Sequence, residues 1–212
     1  MKNIFSPIID ISWPISQNMT SYKNNKPITL TTFKDFPHDV ARDSNLVLNS
    51  HTGTHVDAPS HFLEDGPSIE NFTLDQFIGP CQVLDLSHKT DCITAHDLED
   101  TNIQPEFIIL LKTKNSLQSA TATFNANFIY LERSGAHYLI DKKIKAVGFD
   151  YLGIERNQSD YKTHKALLKL NIPIIEGLRL EHVSTGNYFF IFLPLKINGL
   201  EAAPGRAILL QN

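Results

Sequence analysis

The chain has 212 residues, 42% of them hydrophobic and 20% charged, which is enough for one sizeable core. Its 19 Lys and Arg against 23 Asp and Glu leave a net charge of -4, so no basic field is present to hold nucleic acid or an anionic membrane surface. No apolar run approaches the roughly 18 residues of a membrane span, and Cys81 and Cys92 alone make neither a disulfide framework nor a Cys-rich zinc site. A reducing cytoplasm is therefore the expected compartment. The N-terminal stretch after Lys2 is interrupted by Asp10 and Pro14, too broken for a secretory h-region.

In chain order, runs rich in β-branched and aromatic residues predict strands at 8–13, 28–33 and 45–48. A short helix is expected at 74–78, a strand at 82–86, and a helix at 94–100 with Thr94 as its N-cap. Beyond a strand at 107–111, the Asn- and Ser-rich stretch 114–127 reads as a surface excursion. Helices at 134–143 and 160–170 bracket a strand at 146–149, and strands at 173–175, 188–193 and 207–210 close the chain. The helix at 160–170 is the best defined. Tyr161, His164, Leu167 and Leu168 recur at helical spacing, so His164 shares a face with core residues, and Pro173 marks the far side. Trp13 reads as core rather than pocket lining, and Tyr188, Phe189, Phe190 and Phe192 alternate with aliphatics as a buried strand does. The pattern is α/β, mixed and strand-rich, with no repeat or linker, and predicts one domain over 1–212.

Chemistry concentrates at His51-Thr-Gly-Thr-His55-Val-Asp57-Ala-Pro-Ser-His61. For this composition the pattern arises by chance on the order of once in a thousand chains. A lone histidine is more often a packed or surface residue; the ensemble is what points to metal. Imidazole and carboxylate suit Zn2+ and neighbouring divalent ions, and the two oxygens of Asp57 can bridge two of them. Gly53 and Pro59 argue against a regular helix, so the ligands are expected on a tight loop after the strand at 45–48. His61 is either a further ligand or, as favoured here, the proton carrier that a hydrolase needs. A binuclear site needs more ligands, and His164 and Glu176 are candidates that spacing alone does not select. His38, His88, His96, His137 and His182 are equally available, though they read as surface residues. Glu181 beside His182 tempts as a pair, but adjacency on a strand end would point the two apart.

The segment 51–62, HTGTHVDAPSHF, resembles the signature of the cyclase-like metal-dependent hydrolases, the family that includes bacterial kynurenine formamidase and isatin hydrolase. DISWPIS at 10–16, VGFDYLGIE at 147–155 and the run 164–194, with its HxxLL and IxEGL elements, extend the resemblance over nearly the whole chain. The resemblance implies a swivelling β/β/α domain and a homodimer in which an N-terminal aromatic segment can complete a neighbouring site. It implies His51, His55, Asp57, His164 and Glu176 as ligands of two divalent ions, Zn2+ first and Mn2+ second, with His61 as catalytic acid-base. The implied reaction is hydrolysis of an amide, formamide or lactam C–N bond in a small molecule. A metal-dependent cyclisation or dehydration is the alternative within enzymes, and a metal-stabilised binding domain without turnover is the alternative outside them. The chain departs from the family where an aromatic-Pro-Gly-Asp stretch is replaced by Tyr22-Lys23-Asn24-Asn25, which implies a changed entrance. It also has a single His164 followed by Lys165 in place of a double histidine.

Overall fold

The computed structural model describes residues 7–24 and 28–211. Seven strands close into a barrel-like ring: β4 (His55–Asp57), β5 (Ile78–Asp85), β7 (Ile108–Lys112), β9 (Ala146–Phe149), β10 (Ile174–Glu176), β11 (Gly186–Pro194) and β12 (Ala202–Leu210). The order is β12-β11-β5-β7-β9-β10-β4, and β4 pairs back onto β12 to close it. β5, β7, β9 and β10 run parallel, whereas β4 is antiparallel to both of its neighbours. β1 (Ile8–Asp10) lies on β12 outside the ring. β6 (Cys92–Ile93) and β8 (Tyr130–Leu131) form a small separate pair.

Period-two alternation divides the core. Ile108, Leu110, Ala146, Ile175, Val56 and Phe190 face one cluster, to which the strands of the ring contribute together. Ile109, Leu111, Val147, Phe149 and Ile174 face the other, where α1 (Ala95–Leu98), α2 (Arg133–Asp141) and α3 (Lys162–Leu168) bring Leu98, Leu139, Leu167 and Leu168. Covered on both faces, the parallel strands read as unbroken apolar runs. Trp13 is buried in the helix-side cluster and its indole N–H donates to the Ala120 carbonyl. In β11, Tyr188, Phe190 and Phe192 are buried and their neighbours are not, as the alternation predicts. This mixed α/β architecture agrees with the swivelling β/β/α class expected from the sequence.

Several expectations are corrected. The helix at 74–78 is a single 3-10 turn, Leu74–Gln76, because β5 begins at Ile78. The strands expected at 28–33 and 45–48 exist as β2 (Thr29–Lys34) and β3 (Asp43–Val47), but they pair only with each other, and every residue of this ribbon is exposed. The stretch 114–127 lies largely at the surface as expected, except at two positions. Asn115 and Ser116 are buried, and Asp150, buried on β9's exit, accepts hydrogen bonds from the N–H and hydroxyl groups of both Thr113 and Ser116 at 2.7 to 3.2 Å. Burial pushes the Asp150 carboxyl up, and those donors oppose the shift. Tyr161 is exposed at the αL cap of α3 rather than in the core. Glu181 and His182 lie in a turn, with Glu181 Oε2 3.7 Å from His182 Nε2.

The expected Thr94 cap is present as a capping box closed by Asp97, which accepts from the Thr94 N–H at 2.8 Å and its hydroxyl at 2.7 Å and pairs with Lys89 at 2.6 Å. Burial opposes ionisation, but Lys89 and Thr94 hold the Asp97 carboxyl down to about 2. A folded-state pKa below the unfolded one gives stability that is present above the unfolded value and lost as pH falls through the folded one. Urea unfolding should therefore show Asp97→Asn less stable than wild type by about 1 kcal/mol near neutral pH, with the gap closing between the carboxylate's ordinary pKa of 3.8 and about 2. A gap constant down to pH 2 would mean that the charge contributes nothing.

Candidate metal centre

β4 carries two of the expected ligands because alternate residues of a strand share a face: His55 and Asp57 point one way and Val56 the other, into the apolar cluster. The expectation of a loop holds only for His51. Residues 49–54 turn after the ribbon, and the chain then enters a buried three-residue strand too short to show alternation in sequence. Antiparallel pairing places His55 directly opposite Glu176 and Asp57 opposite Ile174, so Glu176 joins the same face. α3 supplies His164 from above.

The five residues meet. His51 Nδ1 lies 2.9 Å from Asp57 Oδ1; His55 Nε2 lies 3.4 Å from Asp57 Oδ1 and 3.4 Å from Glu176 Oε2. His164 Nε2 is 3.4 Å from Glu176 Oε1 and 3.8 Å from Asp57 Oδ2. Their potential ligand atoms form two overlapping sets, His51-His55-Asp57 and Asp57-His164-Glu176, each with its atoms within 4.8 Å of one another. His61, on the 3-10 turn Pro59–His61, does not join either set; its ring leans on His51 with centroids 4.3 Å apart and on Phe62 at 4.1 Å. Above the donors opens a cavity of about 210 Å3 whose walls include Tyr22, Lys23, His61, Phe62 and Tyr161. The altered entrance expected at 22–25 thus contributes Tyr22 and Lys23; Asn25 lies outside the described residues. His38, His88, His96, His137 and His182 stand apart from this cluster.

The electrostatics describe a site that demands positive charge. Burial works against charging His55, but the carboxylates of Asp57 and Glu176, each 3.4 Å from Nε2, outweigh it and lift the ring to about 10. The same balance, struck by Glu155 and Glu176, lifts His164 to about 9. Burial and the charge of Asp57 push Glu176 upward, yet His164 and His55 hold it down to about 2. Asp57 lies well below the usual carboxylate range because His51 and His55 overcome its burial. His61 is the exception: burial, helped by His51 and His164, drives it down to about 4. His55 Nε2 and Asp57 Oδ1 are buried yet make no hydrogen bond among the described residues. Nitrogen and carboxylate atoms that converge without hydrogen-bond geometry, in two sets sharing one carboxylate, fit a divalent cation better than they fit one another.

The Cyclase family model matches residues 9–156, which include this signature and four of the ring's seven strands. The chain belongs to the Cyclase family. It is 31% identical to the kynurenine formamidase of Salinibacter ruber over 205 residues, covering 95% of this chain and 96% of that one. A solved structure described as a predicted metal-dependent hydrolase from Bacillus stearothermophilus is 40% identical and superposes with a TM-score of 0.87, covering 97% of this chain and 98% of the other. Isatin hydrolase A from Labrenzia aggregata, 21% identical, shares the fold at a TM-score of 0.84 over 96% of this chain and 93% of its own.

Sequence reasoning does not reach two carboxylates beside this Cyclase-family centre. Glu155 accepts from His164 Nδ1 at 2.6 Å, and Glu201 lies 3.3 Å from His51 Nε2. Neither stands near its histidine in a motif: Glu155 closes the VGFDYLGIE segment and Glu201 begins the turn into β12, 150 positions beyond His51.

Proposed function

We propose that this chain is a metal-dependent hydrolase that opens an amide, formamide or lactam C–N bond of a small molecule, arylformamides being the first substrates to test. The observation that carries the reading is the convergence of five donor side chains from three separate segments, beneath a cavity, with a further histidine at its rim. His51, His55 and Asp57 would hold one divalent ion, and Asp57, His164 and Glu176 a second, with one oxygen of Asp57 serving each set. The donor set suits Zn2+ first and Mn2+ next. Such ions, when bound, supply Lewis acidity that polarises a carbonyl and makes water acidic enough to ionise near neutral pH.

The rest falls to side chains. His61, beside the cluster but outside both donor sets, takes the proton of the attacking water and passes it to the departing nitrogen, so that the C–N bond breaks to give a carboxylate and an amine. Phe62 packs against both His61 and His164, ring centroids 4.1 and 4.5 Å away, and keeps bulk water from the floor of the cavity. Elemental analysis with a hydrolysis screen over N-formylkynurenine and small amides tests the reading; metal-loaded protein without turnover on any C–N substrate would shift it toward cyclisation or binding. His61→Ala should keep its metal and lose kcat by about 10²- to 10⁴-fold. Loss of metal in that variant would make His61 a ligand.

A homodimer belongs to the same proposal. Leu30, Phe33, Leu46 and Val47 on the ribbon, with Phe36 and Val40 at its tip, are exposed apolar side chains on a two-stranded element that gains little by standing alone. The ribbon's two ends lead to Tyr22–Asn24 and to His51, so a second copy seated on it would border the cavity. Sedimentation equilibrium should give a dimer that Phe33→Asp with Leu46→Asp dissociates; a wild-type monomer at micromolar concentration would refute it. The free thiols Cys81 and Cys92 suit a reducing cytoplasm, and among the described residues no helix is long and apolar enough to cross a membrane.

A further inference from the structure

Each of the three clustered histidines turns one ring nitrogen toward the carboxylates of the site and has an oxygen acceptor within 3.3 Å of the other. For His55 the rear partner is the Gly53 carbonyl, 2.9 Å from Nδ1. A carbonyl can only accept, so Nδ1 keeps a proton, and Nε2, which faces Asp57 and Glu176, is the nitrogen left to give its lone pair to a cation bound between them. Behind His164 stands Glu155, whose Oε2 is 2.6 Å from Nδ1 and also accepts the His164 backbone N–H at 3.0 Å. Behind His51 stands Glu201, whose Oε1 is 3.3 Å from Nε2 and accepts the Ser50 hydroxyl at 2.6 Å.

We infer that Glu155 and Glu201 are positioning residues, each fixing the orientation and proton of one metal-ligating histidine, and that they divide the centre: Glu155 supports the His164 half and Glu201 the His51 half. The assignment rests on the metal reading above. The buried half has the stronger support. The Glu155 side chain is 2% exposed, and the two hydrogen bonds it accepts both come from His164. The preceding residue reinforces it, since the Ile154 N–H donates at 2.6 Å to Glu176 Oε1, so consecutive residues 154 and 155 hold the two ligands that complete this half with Asp57. Glu201 is 37% exposed, where water can replace part of what it does. A carboxylate behind a ligating imidazole raises its basicity and removes its rotational freedom, and losing one typically lowers metal affinity about 10- to 100-fold.

The test is a chelator-competition titration with Zn2+, repeated with Co2+ by absorption, on wild type, Glu155→Ala, Glu155→Gln and Glu201→Gln. The metal-free melting temperature of each reports whether it folds. Glu155→Ala should weaken one of two ions by about 100-fold and leave the other unchanged. Glu155→Gln should recover part of the loss, because an amide oxygen still accepts the Nδ1 proton without the charge. Glu201→Gln should weaken the other ion, by about tenfold or less. Wild type that binds two ions, with variants that match it or that lose both ions together, would overturn this assignment and leave the metal reading intact. Wild type that takes up no ion would overturn both.

Discussion

Asp57→Asn should lose both metal ions and at least about 10³-fold in kcat, the scale set by removing preorganised charge from a hydrolytic site. Asp57 is the one residue common to both donor sets, with Oδ1 facing His51 and His55 and Oδ2 facing His164. Asparagine keeps the shape but removes the charge, and it turns an NH2 toward ring nitrogens that must offer lone pairs. The loss can be read without substrate. A ligand at a thousand times its Kd stabilises the folded state by about 4 kcal/mol, which in a domain of this size is roughly 8–16 °C in Tm. Wild type should therefore melt far higher with Zn2+ than without it, and Asp57→Asn should melt at one temperature in both. If the variant keeps one ion, held by His164 and Glu176 alone, Asp57 serves a single half and the bridging role fails.

How much of this is legible in the sequence follows from the range over which each feature is encoded. The ligands His51, His55 and Asp57 declare themselves because they lie within seven residues, and the long parallel strands declare themselves because burial on both faces leaves continuous apolar runs. β4 reads as loop because three residues are too few for a period of two to show, and because Gly53 and Pro59, which flank it, are turn-formers. His164 and Glu176 need the family resemblance: pairing between β10 and β4, more than a hundred residues apart, is what brings Glu176 opposite His55. Glu155 and Glu201 leave no local signal, since each is defined by the rear nitrogen of a histidine elsewhere in the chain. The segment 114–127 misleads at two positions for a related reason. Its polar composition looks solvent-exposed, but Asn115 and Ser116 spend their polar groups on Asp150, Ile129 and Leu180 inside the fold.

Gly177→Ala should be the most damaging substitution outside the ligands, and it tests whether the backbone behind the centre is as important as the centre itself. Gly177 follows Glu176 directly and has φ +70, a conformation that costs an alanine about 1–2 kcal/mol. Space is the larger obstacle. A Cβ there would sit 2.2 Å from the Gly53 carbonyl oxygen, 2.8 Å from its carbon and 3.1 Å from the Thr54 nitrogen, all of them backbone. Those atoms cannot swing aside, because the Thr54 hydroxyl donates to the Gly177 carbonyl at 2.7 Å and accepts the Trp13 N–H at 2.7 Å, while the Gly177 N–H donates to the Tyr151 carbonyl at 2.7 Å. Overpacking of this kind adds about 1–3 kcal/mol, so a total near 2–5 kcal/mol is expected, roughly 5–20 °C in Tm. The displaced atom is also the carbonyl that orients His55, and the strand end that moves with it carries Glu176, so metal affinity should fall together with stability. Gly199 provides the control, with φ +80 but nothing within 4 Å of the place a methyl group would take, so Gly199→Ala should carry only the conformational cost of about 1–2 kcal/mol and leave metal binding unchanged. The difference between the two variants measures the crowding at the centre. Equal losses would show that strain alone matters and that the contact between residues 53 and 177 does not set the geometry of the ligands.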